Sequence, residues 1–290
     1  MNNTIEKNKE DIDSQLVKAL RFPLAVMVVC IHSYLPNDGN CFINMLSHVL
    51  SHIAVPLFFL FSGYYFFTGL REWNWEIWGG KIKKRAKTLL LPYLVWILLF
   101  VLYSVAPSVF KCLIMGKSFS LIEWFNTNYG FHIFWDSYQW NLDRVDILGN
   151  PAISSAPILV PFWFIRDLII TVLMTPFMHI LLRHRGRGPK YLSIIALLCL
   201  GVLYLSSISL IIPGFSINAF FFFALGAYCR LNGRSLYCRN RIASIVSVCA
   251  LLLLFTDTLF DGHNTPIGNI FYKPWVLLGV YSAILLMGGY

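Results

Sequence analysis

The chain has 290 residues, 57% of them hydrophobic and only 13% charged. A soluble domain carries about 25% charged residues, so an ordinary water-soluble globule is excluded. The net charge of +9 does not point to nucleic acid, because the basic residues gather in short loops between apolar runs, the positive-inside pattern of a membrane protein.

Apolar runs near bilayer-crossing length recur at about 15–36, 46–69, 89–107, 161–182, 191–212, 216–230, 242–260 and 275–290. They predict an all-α, polytopic integral membrane helical bundle of about eight spans, one domain over 1–290. Residues 1–13 are polar and no small-residue cleavage site follows the first run, so no removable signal peptide is expected. The basic loops at 71–87, 183–190 and 230–241 fall on the same side as the N-terminus. That side is assigned to the cytoplasm.

The first run carries the most telling pair, Arg21 and His32. A histidine at membrane depth is costly and calls for a function. Eleven residues at about 100° each return to nearly the same helix face, and at about 1.5 Å each they separate the two groups by roughly 16 Å. One wall therefore offers a cation at the membrane edge and an imidazole near its middle, suited to a long substrate that is anionic at one end and reactive at the other. The competing reading of His32 is an interhelical hydrogen-bonding residue.

In the second run, Ser62-Gly63 reads first as a close helix contact, with a role for Ser62 on a substrate cavity as the alternative. His48 and His52 are four apart, a spacing metals accept, but no third ligand is visible and no metal site is expected. Next comes the basic stretch Lys81, Lys83, Lys84, Arg85 and Lys87, a topology signal that can also hold phosphates. The segment 108–160 is long, polar and aromatic, with Trp124, Tyr129, His132, Trp135, Tyr138 and Trp140. It reads as an interfacial belt on the outer side, or as a sugar-stacking surface. Arg166 and Asp167 open the fourth run near the outer face. Adjacent residues on a helix do not face each other, so each is expected to pair with another helix and to line an outer cavity.

Pro213-Gly214 marks a tight turn between the fifth and sixth runs. The last run stops at Gly288-Gly289-Tyr290 with no basic flank, as an incomplete helix would. Seven cysteines are scattered without a CxxC pair, which argues against metal or redox roles. Cys41 and Cys112 share the outer side and form a candidate disulfide.

Four segments taken together resemble the membrane acyltransferase 3 family, whose members include glycan O-acetyltransferases. Leu20-Arg21-Phe22-Pro23-Leu24-Ala25 through His32 matches its Arg-x10-His signature. Val55-Pro56-Leu57-Phe58-Phe59-Leu60-Phe61-Ser62-Gly63-Tyr64 is similar to its Pro-x-Phe-Phe-x-x-Ser-Gly-aromatic segment. Lys84-Arg85-Ala86-Lys87-Thr88-Leu89-Leu90-Leu91-Pro92-Tyr93 is similar to its basic stretch before a Pro-Tyr helix start. Pro161-Phe162-Trp163-Phe164-Ile165-Arg166-Asp167-Leu168 is similar to its Trp-Phe-x-x-x-Leu helix start. The chain departs from the family twice. The family's Arg-x-x-x-Arg pair is replaced by Lys84 and Thr88, or by Lys81 with Arg85 or Lys83 with Lys87, and its usual ten or so spans are about eight here. The departure in span number suggests a C-terminally truncated chain.

The resemblance implies acyl transfer, typically from acetyl-CoA to a hydroxyl of a cell-envelope carbohydrate, by a protein of a bacterial-type cytoplasmic membrane. Acyl-CoA is then a co-substrate, with no tightly bound cofactor. The partners are a glycan or glycolipid acceptor and membrane lipid, not nucleic acid. His32 is the base, since imidazole titrates near neutrality, or alternatively a covalent acyl relay. Arg21 orients the donor, and Lys81, Lys83, Lys84, Arg85 and Lys87 hold its phosphates. Ser62, Trp163, Arg166 and Asp167 line the cavity or acceptor side. The competing functions are a transporter or flippase for an envelope glycan precursor and a truncated, non-catalytic remnant.

Overall fold

A computed structural model describes residues 2–32, 41–70, 72–128, 130, 133, 144–145, 151–152, 157–183, 187–206, 214–236, 241–260 and 266–287. The described residues are overwhelmingly helical. In chain order the helices are α1 (Asn2–His32), α2 (Cys41–Asn44), α3 (Ala54–Phe66), α4 (Trp75–Arg85), α5 (Leu91–Ile114) and α6 (Leu121–Asn128). They continue with α7 (Trp163–Leu173), α8 (Thr175–Leu182), α9 (Arg187–Leu205), α10 (Ile217–Leu231), α11 (Arg241–Phe260) and α12 (Pro266–Met287). One antiparallel ladder pairs β1 (Arg144–Val145) with β2 (Pro151–Ala152).

The tightest contact in the molecule is between α3 and α10, and glycine makes it possible. A Cβ placed on Gly63 would lie 2.1 Å from the carbonyl oxygen of Phe223. One on Gly226 would lie 1.9 Å from that of Leu60. The two backbones therefore touch at two points, as small residues allow in membrane helix pairs. Leu57, Phe59, Phe66, Phe222 and Phe223, all essentially inaccessible, fill the space around this crossing. The expected close contact at Ser62-Gly63 thus belongs to the glycine.

Between α2 and α3 the chain winds as a π-helical turn (Met45–Val49) and then a 3-10 turn (Leu50–Ile53). Such changes of pitch leave carbonyls without their usual donors. Side chains supply them: Ser51 Oγ donates to the Leu46 carbonyl at 2.9 Å, and Trp275 Nε1 of α12 donates to that of Val49 at 3.4 Å. His48 and His52 fall on this irregular stretch, so they do not share the regular α-helical face that their spacing suggested. The side chain of His48 lies outside the described residues.

The end of α9 is closed from another helix. Lys273 Nζ of α12 donates to the Tyr204 carbonyl at 2.9 Å and stands 5.1 Å from the centre of the Tyr204 ring. A cation at a helix C-terminus satisfies an orphan carbonyl and meets the negative end of the helix dipole.

Three boundaries differ from the sequence expectation. The third run forms one continuous helix with the basic stretch, Trp75–Ile114, of 40 residues. It includes a π turn at Ala86–Leu90 and carries helix to Ile114, into the segment expected to be a loop from 108. The fourth run is two helices that meet at Met174 with a 60° bend. Thr175 Oγ1 donates back to the Val172 carbonyl at this break, at 2.6 Å. Cys112 is a free thiol, so the candidate disulfide with Cys41 is not formed. Among the described residues, Trp75–Ile114 alone passes for a membrane-crossing helix by length and apolar composition, or two segments do if the bent pair counts as one. The other runs appear as shorter apolar helices, among them Leu50–Phe66, Lys190–Leu205, Ile217–Leu231, Ser244–Leu259 and Ile270–Leu285.

The glycine crossing yields a direct expectation. Gly226→Ala forces a methyl group into backbone that cannot retreat, and overpacking of this kind costs up to about 3 kcal/mol. The purified protein's detergent melting temperature should fall sharply, whereas Gly79→Ala, on the open surface of α4, should leave it unchanged.

Candidate functional site

Arg21 and His32 lie on one uninterrupted helix, α1, of which His32 is the last residue. This helix packs on the 3-10 turn and on α3 through Val17, Leu20 and Leu24, which are buried. At about 100° per residue, positions 21 and 32 fall roughly 70–90° to one side of that buried stripe, on the same flank. His32 is exposed, and the side chain of Arg21 lies outside the described residues.

The other three motifs meet around the start of α7. Phe59 of α3 packs on Trp163, with ring centres 6.4 Å apart, and Tyr93 of α5 packs on Phe162 at 6.1 Å. Ser62, one turn along α3 from Phe59, is partly buried. The Tyr93 contact corrects the expected depths. The fourth run was placed with its start at the face opposite Pro92-Tyr93, but Tyr93 lies midway along the continuous helix Trp75–Ile114 and packs against Phe162 just before α7.

Arg166 and Asp167 are 5% and 2% exposed. They pair with each other: Arg166 Nε and Nη2 both donate to Asp167 Oδ1, at 3.0 and 2.9 Å. For Asp167 this corrects the expectation that it would turn to a different helix. The rule that neighbours on a helix diverge holds for short side chains in water. A buried carboxylate needs a charge partner, and the long guanidinium arm is flexible enough to fold back one residue. Both charges act on Tyr93, which joins the third and fourth motifs in one polar group.

The basic stretch sits on the aromatic end of α3. Asn74 caps α4 by accepting from the backbone N–H of Glu76 and Ile77 at 2.8 and 3.0 Å, which fixes where the helix starts. Lys81 and Arg85 are partly buried, and Lys83, Lys84 and Lys87 are exposed. Lys81 Nζ stands 5.8 Å from the centre of the Phe66 ring. Arg230, in the last turn of α10, lies over Tyr64 at 5.5 Å. Among the described residues, Arg85, Lys84 and Arg230 all place positive charge near Lys81. Arg230 entered the sequence reading only as the first residue of a basic loop. Its sequence signal is modest, a cation closing an apolar helix, and only the α3–α10 crossing brings it to Lys81.

Nearby, Trp78 Nε1 donates to Thr175 Oγ1 at 3.0 Å, which ties α4 to α8. Arg183 Nη1 donates to Glu72 Oε2 at 2.7 Å and Nη2 reaches Oε1. These hydrogen bonds hold the guanidinium above its ordinary range. Asn232 Nδ2 donates to the Leu182 carbonyl at 3.0 Å and joins the ends of α8 and α10. The same end of the molecule thus gathers α4, α8 and the close of α10.

Away from these groups, the His52 ring meets Tyr272 edge-on at 5.2 Å. Among the described residues no three potential metal ligands converge. A cleft between α3, α10 and α12 is lined by Leu60, Phe222, Leu278 and similar side chains, with Tyr281 its one polar-tipped member, so it offers no acid or base. Trp124 Nε1 donates to Ser108 Oγ at 2.9 Å. Tyr129, His132, Trp135, Tyr138 and Trp140 lie outside the described residues.

The buried pair is open to a double-mutant test. Asp167→Ala strands a buried guanidinium and should cost about 3–5 kcal/mol, whereas removing both charges with Arg166→Met and Asp167→Leu should restore most of that loss. Detergent melting of the three variants reads the stability.

The comparisons with known proteins bear on these same segments. The family model for the acyltransferase domain, acyltransferase 3, matches residues 15–290. The succinoglycan biosynthesis protein ExoH of Rhizobium meliloti (strain 1021) is 26% identical over 230 residues, covering 77% of this chain and 53% of that protein. The chain therefore spans about half the length of the curated relative it matches. No solved structure matches it. The match runs unbroken across all four motifs, from the helix of Arg21 and His32 to the pair at Arg166 and Asp167, and the chain belongs to the acyltransferase 3 family.

Proposed function

We propose that the chain is a membrane-embedded O-acetyltransferase that moves an acetyl group from acetyl-CoA to a hydroxyl of a cell-envelope carbohydrate. The observation that carries this reading is the Arg21-x10-His32 pair on one continuous helix of a chain matched by an acyltransferase family model. The carbohydrate acceptor is supported by the relative, which is named for succinoglycan biosynthesis.

The membrane setting is supported by the surface of α5. Leu91, Leu94, Val95, Leu98, Leu99 and Leu102 are all exposed on it. An apolar face of that extent suits lipid, where a helix satisfies its own backbone. In this reading the N-terminus and the basic stretch face the cytoplasm.

Attack of a hydroxyl on a thioester needs a base near neutrality and a site for the donor's phosphates. In the one-step route, the His32 imidazole accepts the hydroxyl proton as the oxygen attacks the thioester carbon. The C–S bond then breaks, and the departing thiolate takes up that proton. In the two-step route, the His32 nitrogen attacks the thioester carbon and the C–S bond breaks to release the thiolate. The acceptor hydroxyl then attacks the acetyl carbon, the C–N bond breaks to restore the imidazole, and the hydroxyl proton goes to the thiolate. Both routes need His32, and both need the donor's phosphates held at a distance from it, roughly 16 Å along α1 for Arg21, by Arg21 with Lys81, Lys83, Lys84, Arg85 and Lys87.

The test is transfer of label from radiolabelled acetyl-CoA to the envelope glycan fraction, in membranes that contain this chain. His32→Ala should lower turnover at least about a hundredfold without loss of expression, the scale of a lost general base. Arg21→Ala should raise the donor KM about tenfold, more than it lowers the maximal rate. Label transfer that survives His32→Ala would sink the catalytic role of that residue.

A further inference from the structure

We propose that Trp75 is a stacking platform for the adenine of acetyl-CoA, and that the exposed ridge of α4 leads the rest of the donor's nucleotide end from there to Lys83. The inference deepens the donor reading above and rests on it.

Trp75 is 64% exposed, yet its indole is held. Trp73 meets it at 5.1 Å between ring centres and Trp78 at 5.5 Å, both nearly at right angles. Trp78 is itself tied to α8 by its hydrogen bond to Thr175, and Trp73 rests on His179 of α8 at 5.1 Å. The exposed ring therefore has a set plane before any ligand arrives, and a preorganised surface loses little freedom on binding.

Positions four apart on a helix form one ridge. From Trp75 that ridge runs through Gly79 to Lys83. A Cβ built on Gly79, or on Gly80 beside it, meets nothing within 4 Å, so bare backbone lies between the indole and the cation. Gly79 is about 6 Å and Lys83 about 12 Å along the axis from Trp75. Helical side chains lean toward the N-terminus, which brings the Lys83 amine back toward the indole. The ridge reads aromatic, bare, cationic, and the end of acetyl-CoA reads base, sugar, phosphates. Glu76, exposed beside Trp75, repels phosphate from the indole end and sets the direction in which a nucleotide lies.

An interfacial anchor is the competing role for an exposed tryptophan, and distance decides against it. Trp75 lies fourteen residues before Leu89, where the apolar part of the helix begins. That is about 21 Å of helix, or about 16 Å along the membrane normal at a 40° tilt. The headgroup zone is only about 5–8 Å deep on each side. Lys83, Lys84 and Lys87 stand between the indole and the apolar stretch, so in the membrane setting proposed above Trp75 reaches water beyond the belt.

Donor kinetics in membranes holding the whole chain test this, with adenosine 3′,5′-bisphosphate and pyrophosphate as competing inhibitors. Trp75→Ala should raise both the acetyl-CoA KM and the bisphosphate inhibition constant about tenfold, the scale of one lost base stack. It should leave the pyrophosphate constant and the maximal rate unchanged, and Trp75→Phe should recover part of the loss. Equal effects on the two inhibitors, or none on the bisphosphate, would overturn the proposal and leave the donor reading intact. Absence of bisphosphate inhibition in the unaltered chain would do the same. A lower maximal rate with unchanged inhibition constants would make Trp75 an anchor in lipid headgroups, and the proposal would fall. Failure of the unaltered chain to use acetyl-CoA would overturn both readings. If Trp75→Ala lowers the melting temperature, Gly79→Leu, which fills the bare stretch at an open position, carries the same test with the same outcomes.

Discussion

Two backbone contacts, at Gly63 and Gly226, organise this molecule. They bring α3 and α10 closer than any pair of side-chain-bearing positions could come, and the other elements take their places from that pair. The aromatic core collects around it. The start of α7 meets α3 at Phe59 through Trp163, and α5 meets the same turn through Tyr93 and Phe162. At one end of the crossing, Tyr64 and Arg230 meet. At the other, the irregular stretch before α3 is held by α12 through Trp275. The close approach leaves no room for adjustment at these points, so positions set by it are reproduced without help from loops.

Several polar groups inside the fold are attached to something that an irregularity left open. Trp275 and Ser51 serve carbonyls of the π turn, Thr175 serves the bend at Met174, and Lys273 serves the end of α9. Arg166 and Asp167 satisfy each other. These attachments turn breaks in helix geometry into fixed joints, which is why a chain with so many interruptions still holds its motifs in register.

Much of this was legible in the sequence because the signals are local. Hydropathy located the helical runs, and the α-helical period put Arg21 and His32 on one flank of α1. Ser62-Gly63 announced a close helix contact. What stayed hidden depends on distant partners. Thr175-Pro176 marks a helix break beside Met174, since proline removes a backbone donor, but the 60° angle of that break depends on what the two halves pack against. The Arg166–Asp167 pair defied the neighbour rule because burial, which the sequence does not display at single-residue resolution, changed which partner was reachable. Arg230 looked like any cation after an apolar run until its helix was crossed with α3. The role of His32 is a matter of chemistry rather than geometry, and its argument still begins from residue type and spacing.

The continuous helix Trp75–Ile114 has a consequence of scale. Its 40 residues make a rod of about 60 Å at 1.5 Å per residue. A hydrocarbon core is about 30 Å thick, and membrane helices tilt by up to about 40°. Even at that tilt the rod projects some 46 Å along the membrane normal, so more than a dozen of its residues stand in headgroups or water. Where the oily interior begins along the rod is then set by the bilayer as well as by the protein. In the membrane setting proposed above, a thinner or thicker bilayer slides that boundary relative to the lysines and arginine of α4, making one helix a gauge of the lipid around it.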